Sequence, residues 1–186
     1  TAMYRAKEAG RGGVRFYDAS MNASSLERLG TETLLRHALD RNQFVLHFQP
    51  RYSLATGRVV GAEALIRWRH PQRGLLHPGE FIALAEEAHL IIRMGEWAIG
   101  EACRCSAAWR RAGLKPGRIA VNLAASHLRE RSLPDKVAAL LREHALPADG
   151  LEVEVTESML MDDPELSVAT ARRLKAIGVY LSIDDF

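Results

Sequence analysis

The chain has 186 residues, 47% of them hydrophobic and 26% charged, close to an ordinary globular protein, which excludes a disordered or low-complexity reading. Its 25 Lys and Arg against 23 Asp and Glu leave a formal charge of +2. The arginines are scattered among acids, so a nucleic-acid polymer is not an expected partner.

Residues 2–9 read as the end of a helix stopped by Gly10 and the Gly12-Gly13 pair, and 14–17 as a short strand. The Ser- and Asn-rich stretch that follows, up to Gly30, reads as a linker, and 31–42 as an amphipathic helix with Leu34, Leu35, Ala38 and Leu39 on one side. Strands are then expected over 43–49 and 58–68. The turn at Ala55-Thr56-Gly57 joins them so closely that they should pair antiparallel. A long helical region over 79–111 reads as two helices broken near Gly95, with Gly113 ending the second. Cys103 and Cys105 lie in it two residues apart, where helical side chains do not face each other, and they are too few for an oxidised framework; a reducing cytoplasm fits. Strand 118–123, helix 134–145, strand 151–156, helix 164–177 and strand 179–184 complete the chain. This alternation with short links is the pattern of an α/β fold with parallel strands and right-handed crossovers, a barrel or a doubly wound sheet. The longest apolar runs fall far short of the ~18 residues of a membrane span, which leaves any anchor of a parent protein to segments upstream. Both ends of the chain read as cut.

The strands carry a second message at their C-terminal ends. Side chains alternate faces along a strand. In Leu151-Glu152-Val153-Glu154-Val155 the apolar residues share one face and the glutamates the other, and Asp184 and Asn122 stand out of phase with their apolar neighbours in the same way. In the segment 62–67, Glu63, Leu65 and Arg67 lie opposite Ala62, Ala64 and Ile66. If the apolar faces pack on helices, Glu63, Asn122, Glu154 and Asp184 point to one common side, where active sites of α/β barrels gather. Carboxylates gathered there need a cation. Oxygen donors without thiolate or imidazole suit a hard divalent ion, Mg²⁺ or Mn²⁺. The seven histidines have no metal-binding spacing, and His47, His70 and His127 read as incidental. Arg67 reads either as a salt-bridge partner of Glu63 or as a clamp for a phosphate oxygen. Gln49, before Pro50, reads as a ligand contact or a turn cap.

Glu63-Ala64-Leu65 followed by Ile66-Arg67-Trp68 resembles the signature of the EAL domain family, the cyclic di-GMP phosphodiesterases. Phe48-Gln49-Pro50, Pro78-Gly79-Glu80-Phe81-Ile82 with Ala85-Glu86-Glu87, Val121-Asn122-Leu123, Glu154-Val155-Thr156-Glu157-Ser158 and Asp184-Asp185-Phe186 follow in the family's order. The resemblance covers residues 31–186. The first 18 residues resemble the C-terminal tail of a GGDEF (diguanylate cyclase) domain, with 19–30 as the linker. What the resemblance implies is a (β/α)₈ TIM-like barrel with an antiparallel first strand, of which about five of eight strands are present here. It also implies hydrolysis of cyclic di-GMP to pGpG with Mg²⁺ or Mn²⁺. By position, Glu63, Asn122, Glu154 and Asp184 match metal ligands and Asp185 the aspartate of a second metal. Glu157 matches a glutamate that steadies the loop after Asp185, Arg67 the arginine on the substrate phosphate, and Gln49 and Leu65 the pocket lining. Ala124, Ser53 and Ala83 depart from residues common in the family, and none is a ligand.

The family's glycine-rich loop, lysine, general-base glutamate and later glutamine would follow Phe186. Loss of acid–base chemistry is worth ~10²–10⁴ in rate, so the 186-residue chain by itself is expected to be inactive and poorly soluble, with an apolar edge at strand 179–183. The leading reading is therefore a phosphodiesterase in a GGDEF–EAL signalling protein. Its alternatives are a catalytically inactive module that senses cyclic di-GMP or binds a protein, and another metal-dependent barrel acting on a phosphorylated substrate. Family members often dimerise through this domain, which leaves a homodimer open.

Overall fold

The structure is a computed structural model that describes residues 19–184. The expected helix at 2–9, strand at 14–17 and cyclase-like tail over 1–18 lie outside the described residues, as do Asp185 and Phe186. The chain divides into two compact units, residues 1–41 and 42–186.

In the first unit the expected linker is not a loop. Residues Ala19–Ala38 form one 20-residue helix, α1, which takes in both 19–30 and most of the amphipathic stretch. Ser, Asn and a single Gly lower helix propensity by fractions of ~1 kcal/mol each but do not forbid the helix. Glu32 and Arg36 add an i,i+4 ion pair at 2.7 Å.

The second unit is built on strands β1 (Phe44–Tyr52), β2 (Val59–His70), β3 (Gly74–Leu76), β4 (Arg118–Asn122), β5 (Leu151–Thr156) and β6 (Tyr180–Asp184). Its helices are α2 (Ile82–Glu87), α3 (Ile91–Arg111), α4 (Ala125–Leu128), α5 (Leu133–Glu143), α6 (Glu157–Asp162) and α7 (Pro164–Ile177). The sheet runs β1-β2-β4-β5-β6, with β3 paired to β2 off this path. β1 and β2 are antiparallel, in register from Phe44 opposite Trp68 to Arg51 opposite Gly61, while β2, β4, β5 and β6 are mutually parallel. This is an α/β architecture, a partial (β/α)₈ barrel whose first strand runs against the parallel strands β2, β4, β5 and β6.

One face of the sheet carries the core. Ala64, Ile119, Val121, Leu151, Val153 and Val155 are buried in a single cluster with Ala98, Ile99, Ala102 and Cys103 of α3, Val137 and Leu141 of α5, and Leu174 of α7. At ~25 cal/mol per Å² of apolar surface removed from water, that contact holds the helices on this face and leaves the other face of the strands to polar side chains.

Two expectations change. The long helical region breaks at His89, whose φ is +57°, ahead of α3, and not at Gly95, which lies inside α3. Gly95 is a packing residue: a Cβ there would stand 1.9 Å from Nε2 of the His127 ring. β1 also continues through Pro50 to Tyr52, where the sequence suggested an end at Gln49. Proline is tolerated because β1 lies at the edge of the described sheet and can lack a ladder donor. β3, α4 and α6 are too short to announce themselves by periodicity.

Candidate active site

Residues paired across neighbouring strands share a face, so the register arranges the polar side of the sheet in rows. Arg51, Gly61 and Arg118 form the row nearest the N-terminal ends of the parallel strands. Gln49, Glu63, Ala120, Glu152 and Tyr180 form the next. Asn122, Glu154 and Ser182 follow, and then Thr156 and Asp184. The strand-end residues singled out in the sequence therefore share one face, with Asp184 one row beyond Glu154.

Side-chain contacts join some of them. Asn122 Nδ2 donates to Glu63 Oε1 at 2.6 Å. Glu154 is 2% exposed, and its Oε1 accepts from Nη2 of Arg51. The other branch of Arg51, Nη1, donates to Glu152 Oε1 at 3.0 Å. Arg118 reaches Glu152 Oε2 at 3.3 Å and lies over the Tyr180 ring at 3.8 Å. Glu154 Oε2 is buried with no hydrogen-bond partner, and so is Oγ of Ser182, its neighbour in the same row. Burial raises the Glu154 pKa; the Arg51 charge acts against that and the Glu63 carboxylate adds to it. Burial works against the charge on Arg51, yet Glu154 and Glu152 together raise its pKa.

The remaining expected residues stand as follows. Gln49 is exposed on β1 opposite Glu63, and Asp184 is exposed at the end of β6. Leu65 lines, with Asn122, an apolar hollow of ≈ 350 Å³ between the strand ends and α3. Arg67 Nη1 donates to the Ile66 carbonyl at 2.8 Å, so its guanidinium is turned to backbone and not to Glu63, and its Nε is buried without a partner. Glu157 is exposed at the start of α6. Asp185 lies outside the described residues. His70 and His127 are buried, His127 with Nδ1 accepting the Ala124 N–H at 3.0 Å.

Sequence reasoning missed Arg51, the cation that meets Glu154. The signal was present: residue 51 is two beyond Gln49 and so on the same strand face, but Pro50 read as the end of the strand.

Among the described residues, no three His, Cys, Asp or Glu side chains stand close enough together to hold a metal ion. The donor chemistry nevertheless fits a hard divalent cation better than any softer one. The donors on this face are carboxylate, amide and hydroxyl oxygens, and one buried carboxylate oxygen, Glu154 Oε2, has nothing to bond.

A partial barrel with polar groups lining one face of its strands is an α/β scaffold shared by many unrelated proteins, and likeness to known proteins narrows it. The EAL domain family matches residues 32–186. The chain belongs to the EAL domain family. It is 46% identical over 185 residues to a protein of Pseudomonas aeruginosa named bifunctional diguanylate cyclase/cyclic di-GMP phosphodiesterase MucR, a match covering 100% of this chain and 27% of that protein. It is 38% identical over 186 residues to the cyclic di-GMP phosphodiesterase PdeR of Escherichia coli, covering 100% of this chain and 28% of the relative. The solved structure of the PaMucR phosphodiesterase in complex with c-di-GMP superposes with a TM-score of 0.79 at 45% identity, over 83% of this chain and 62% of that one. The chain thus spans about a quarter of the length of these curated relatives.

Proposed function

We propose that the protein containing this chain is a cyclic di-GMP phosphodiesterase that opens one phosphodiester to give pGpG with Mg²⁺ or Mn²⁺. The observation that carries the reading is the unpartnered, buried Glu154 Oε2 on the face it shares with Glu63, Asn122 and Asp184. Family membership and the activities for which MucR and PdeR are named support it. In this reading Glu63, Asn122, Glu154, Asp184 and Asp185 hold the cations, which when bound supply Lewis acidity to the phosphate and acidify water. Arg67 takes a phosphate oxygen with its fork, Gln49 and Leu65 line the nucleotide pocket, and Glu157 steadies the loop after Asp185.

Residues 1–18 are then the tail of a GGDEF domain and 19–30 a helical linker. The match to MucR, a protein named for both activities, runs over the whole chain and supports this. The site works in the cytoplasm; among the described residues no helix is long and apolar enough to cross a membrane. A homodimer through this domain is compatible with the reading.

The test is incubation of the full-length protein with cyclic di-GMP and separation of the products by chromatography. Mg²⁺ or Mn²⁺ should yield pGpG and a chelator should stop it. Binding of cyclic di-GMP without turnover would replace the enzyme by a sensing module, and neither binding nor turnover would point to a different phosphate ester. The 186-residue chain alone is expected to show no turnover.

A further inference from the structure

We infer that Arg51 is a positioning residue for the cation site: it takes one oxygen of Glu154 and leaves the other presented to the ion. The inference rests on the proposed function, since it concerns the same site, but none of the family's signature residues supplies it.

Arg51 sits on β1, across the sheet from β5, and its fork spans two rows. Nη1 is anchored on Glu152 Oε1 at 3.0 Å. Nη2 then meets Glu154 Oε1. A guanidinium fixed at one branch has little freedom at the other, so the carboxylate of Glu154 is turned one way only. In that orientation Oε1 is engaged by Arg51 and Oε2 is buried with no partner, next in register to the unpartnered Ser182 Oγ.

Carboxylates that ligate metals are themselves held by outer hydrogen bonds, whose loss typically costs 10–100-fold in metal affinity. Lysine in place of Arg51 keeps the charge and has three donors, but they sit on one nitrogen and cannot hold the two glutamates at the fixed spacing of a planar fork. Arg118 provides the comparison: it contacts Glu152 and Tyr180 in the same interior but not Glu154.

The experiment is titration of the full-length protein with Mn²⁺ alone, followed by electron paramagnetic resonance of the free ion, for wild type, Arg51→Met, Arg51→Lys and Arg118→Gln. Thermal unfolding is recorded in parallel without metal. The expected result is a Mn²⁺ affinity weakened by about 10–100-fold in Arg51→Met, partly recovered in Arg51→Lys, and changed less than about twofold in Arg118→Gln. Equal or tighter binding by Arg51→Met would overturn the inference, as would a loss in Arg118→Gln as large as that in Arg51→Met. If Arg51→Met does not fold, Arg51→Lys decides alone, since wild-type affinity there contradicts a need for the fork. Wild type that binds no Mn²⁺ overturns the cation reading beneath it as well, which separates the two failures.

Discussion

Glu154 is the residue on which the site turns, because a carboxylate buried this far is unfavourable unless something cationic meets it. Arg51 meets one oxygen. Replacing Glu154 by Gln leaves the fork of Arg51 with one charged partner and removes an anionic oxygen from the proposed cation site. Turnover of cyclic di-GMP by the full-length protein should fall by more than about 100-fold, exceeding the loss expected for an outer-shell group; a steady-state assay of pGpG release measures it, and activity near wild type would remove Glu154 from the site. His127 offers a test of a different kind. Its imidazole is buried, and that burial lowers its pKa below the ordinary 6.5, against weaker opposing effects of backbone hydrogen bonds and the Glu96 charge. The unfolded chain therefore takes up this proton at a higher pH than the folded one, so protonation favours unfolding. The His127 contribution is whole above 6.5 and is lost as pH falls towards the lowered value. Between about pH 7.5 and about pH 5.5 the unfolding midpoint should drop further in wild type than in His127→Gln, whose amide oxygen can still accept the Ala124 N–H without titrating. Equal slopes would contradict the assignment.

At the scale of elements, glycines separate conformational need from spatial need. Gly57 closes the β1–β2 turn at φ +65°, with nothing within 4 Å of an added Cβ. Gly57→Ala should cost only the left-handed penalty of ~1–2 kcal/mol. Gly117 has φ +71° too, but its Cβ would lie 2.0 Å from the Val60 carbonyl oxygen, where β4 begins against β2. Gly117→Ala should cost a further ~1–3 kcal/mol or more, as overpacking does, read as the difference in chemical-denaturation midpoints between the two variants. The same scale shows what periodicity could reveal. The strands 151–156 and the helix 164–177 match β5 and α7 because each alternation is long and ends in a clear stop, Gly178 at φ +102° in the second case. The helix break was misplaced because Gly95 resembles a breaker in sequence, whereas its role depends on the His127 ring, contributed by another helix. Composition misled in α1 for a related reason: Ser and Asn weaken a helix locally, and only the whole segment decides.

For the molecule as a whole, the side on which the candidate site residues lie was legible and their spacing was not. A period of two puts Glu63, Asn122, Glu154 and Asp184 opposite the apolar core with no knowledge of the fold. Strand register sets how far each stands along that face, and register is a property of pairs: Asp184 falls beside Thr156 rather than Glu154. The strand face of Arg51 could be read from its place two beyond Gln49, but its partners could not, since they lie 101 and 103 residues away. The sheet order also carries a prediction. In the described sheet β6 is an edge strand with Tyr180 and Ile183 exposed. Expressed by itself, the 186-residue chain should self-associate through that edge, which light scattering after size-exclusion chromatography would register; a monodisperse monomer would contradict it.

The central claim is that the polar face of the sheet is a divalent-cation site. Anomalous diffraction from Mn²⁺-soaked crystals of the full-length protein tests it most directly. The account predicts a strong anomalous peak at bonding distance from Glu154 Oε2, with Glu63, Asn122 and Asp184 completing the oxygen shell. A peak elsewhere, or none on this face at saturating Mn²⁺, would contradict it.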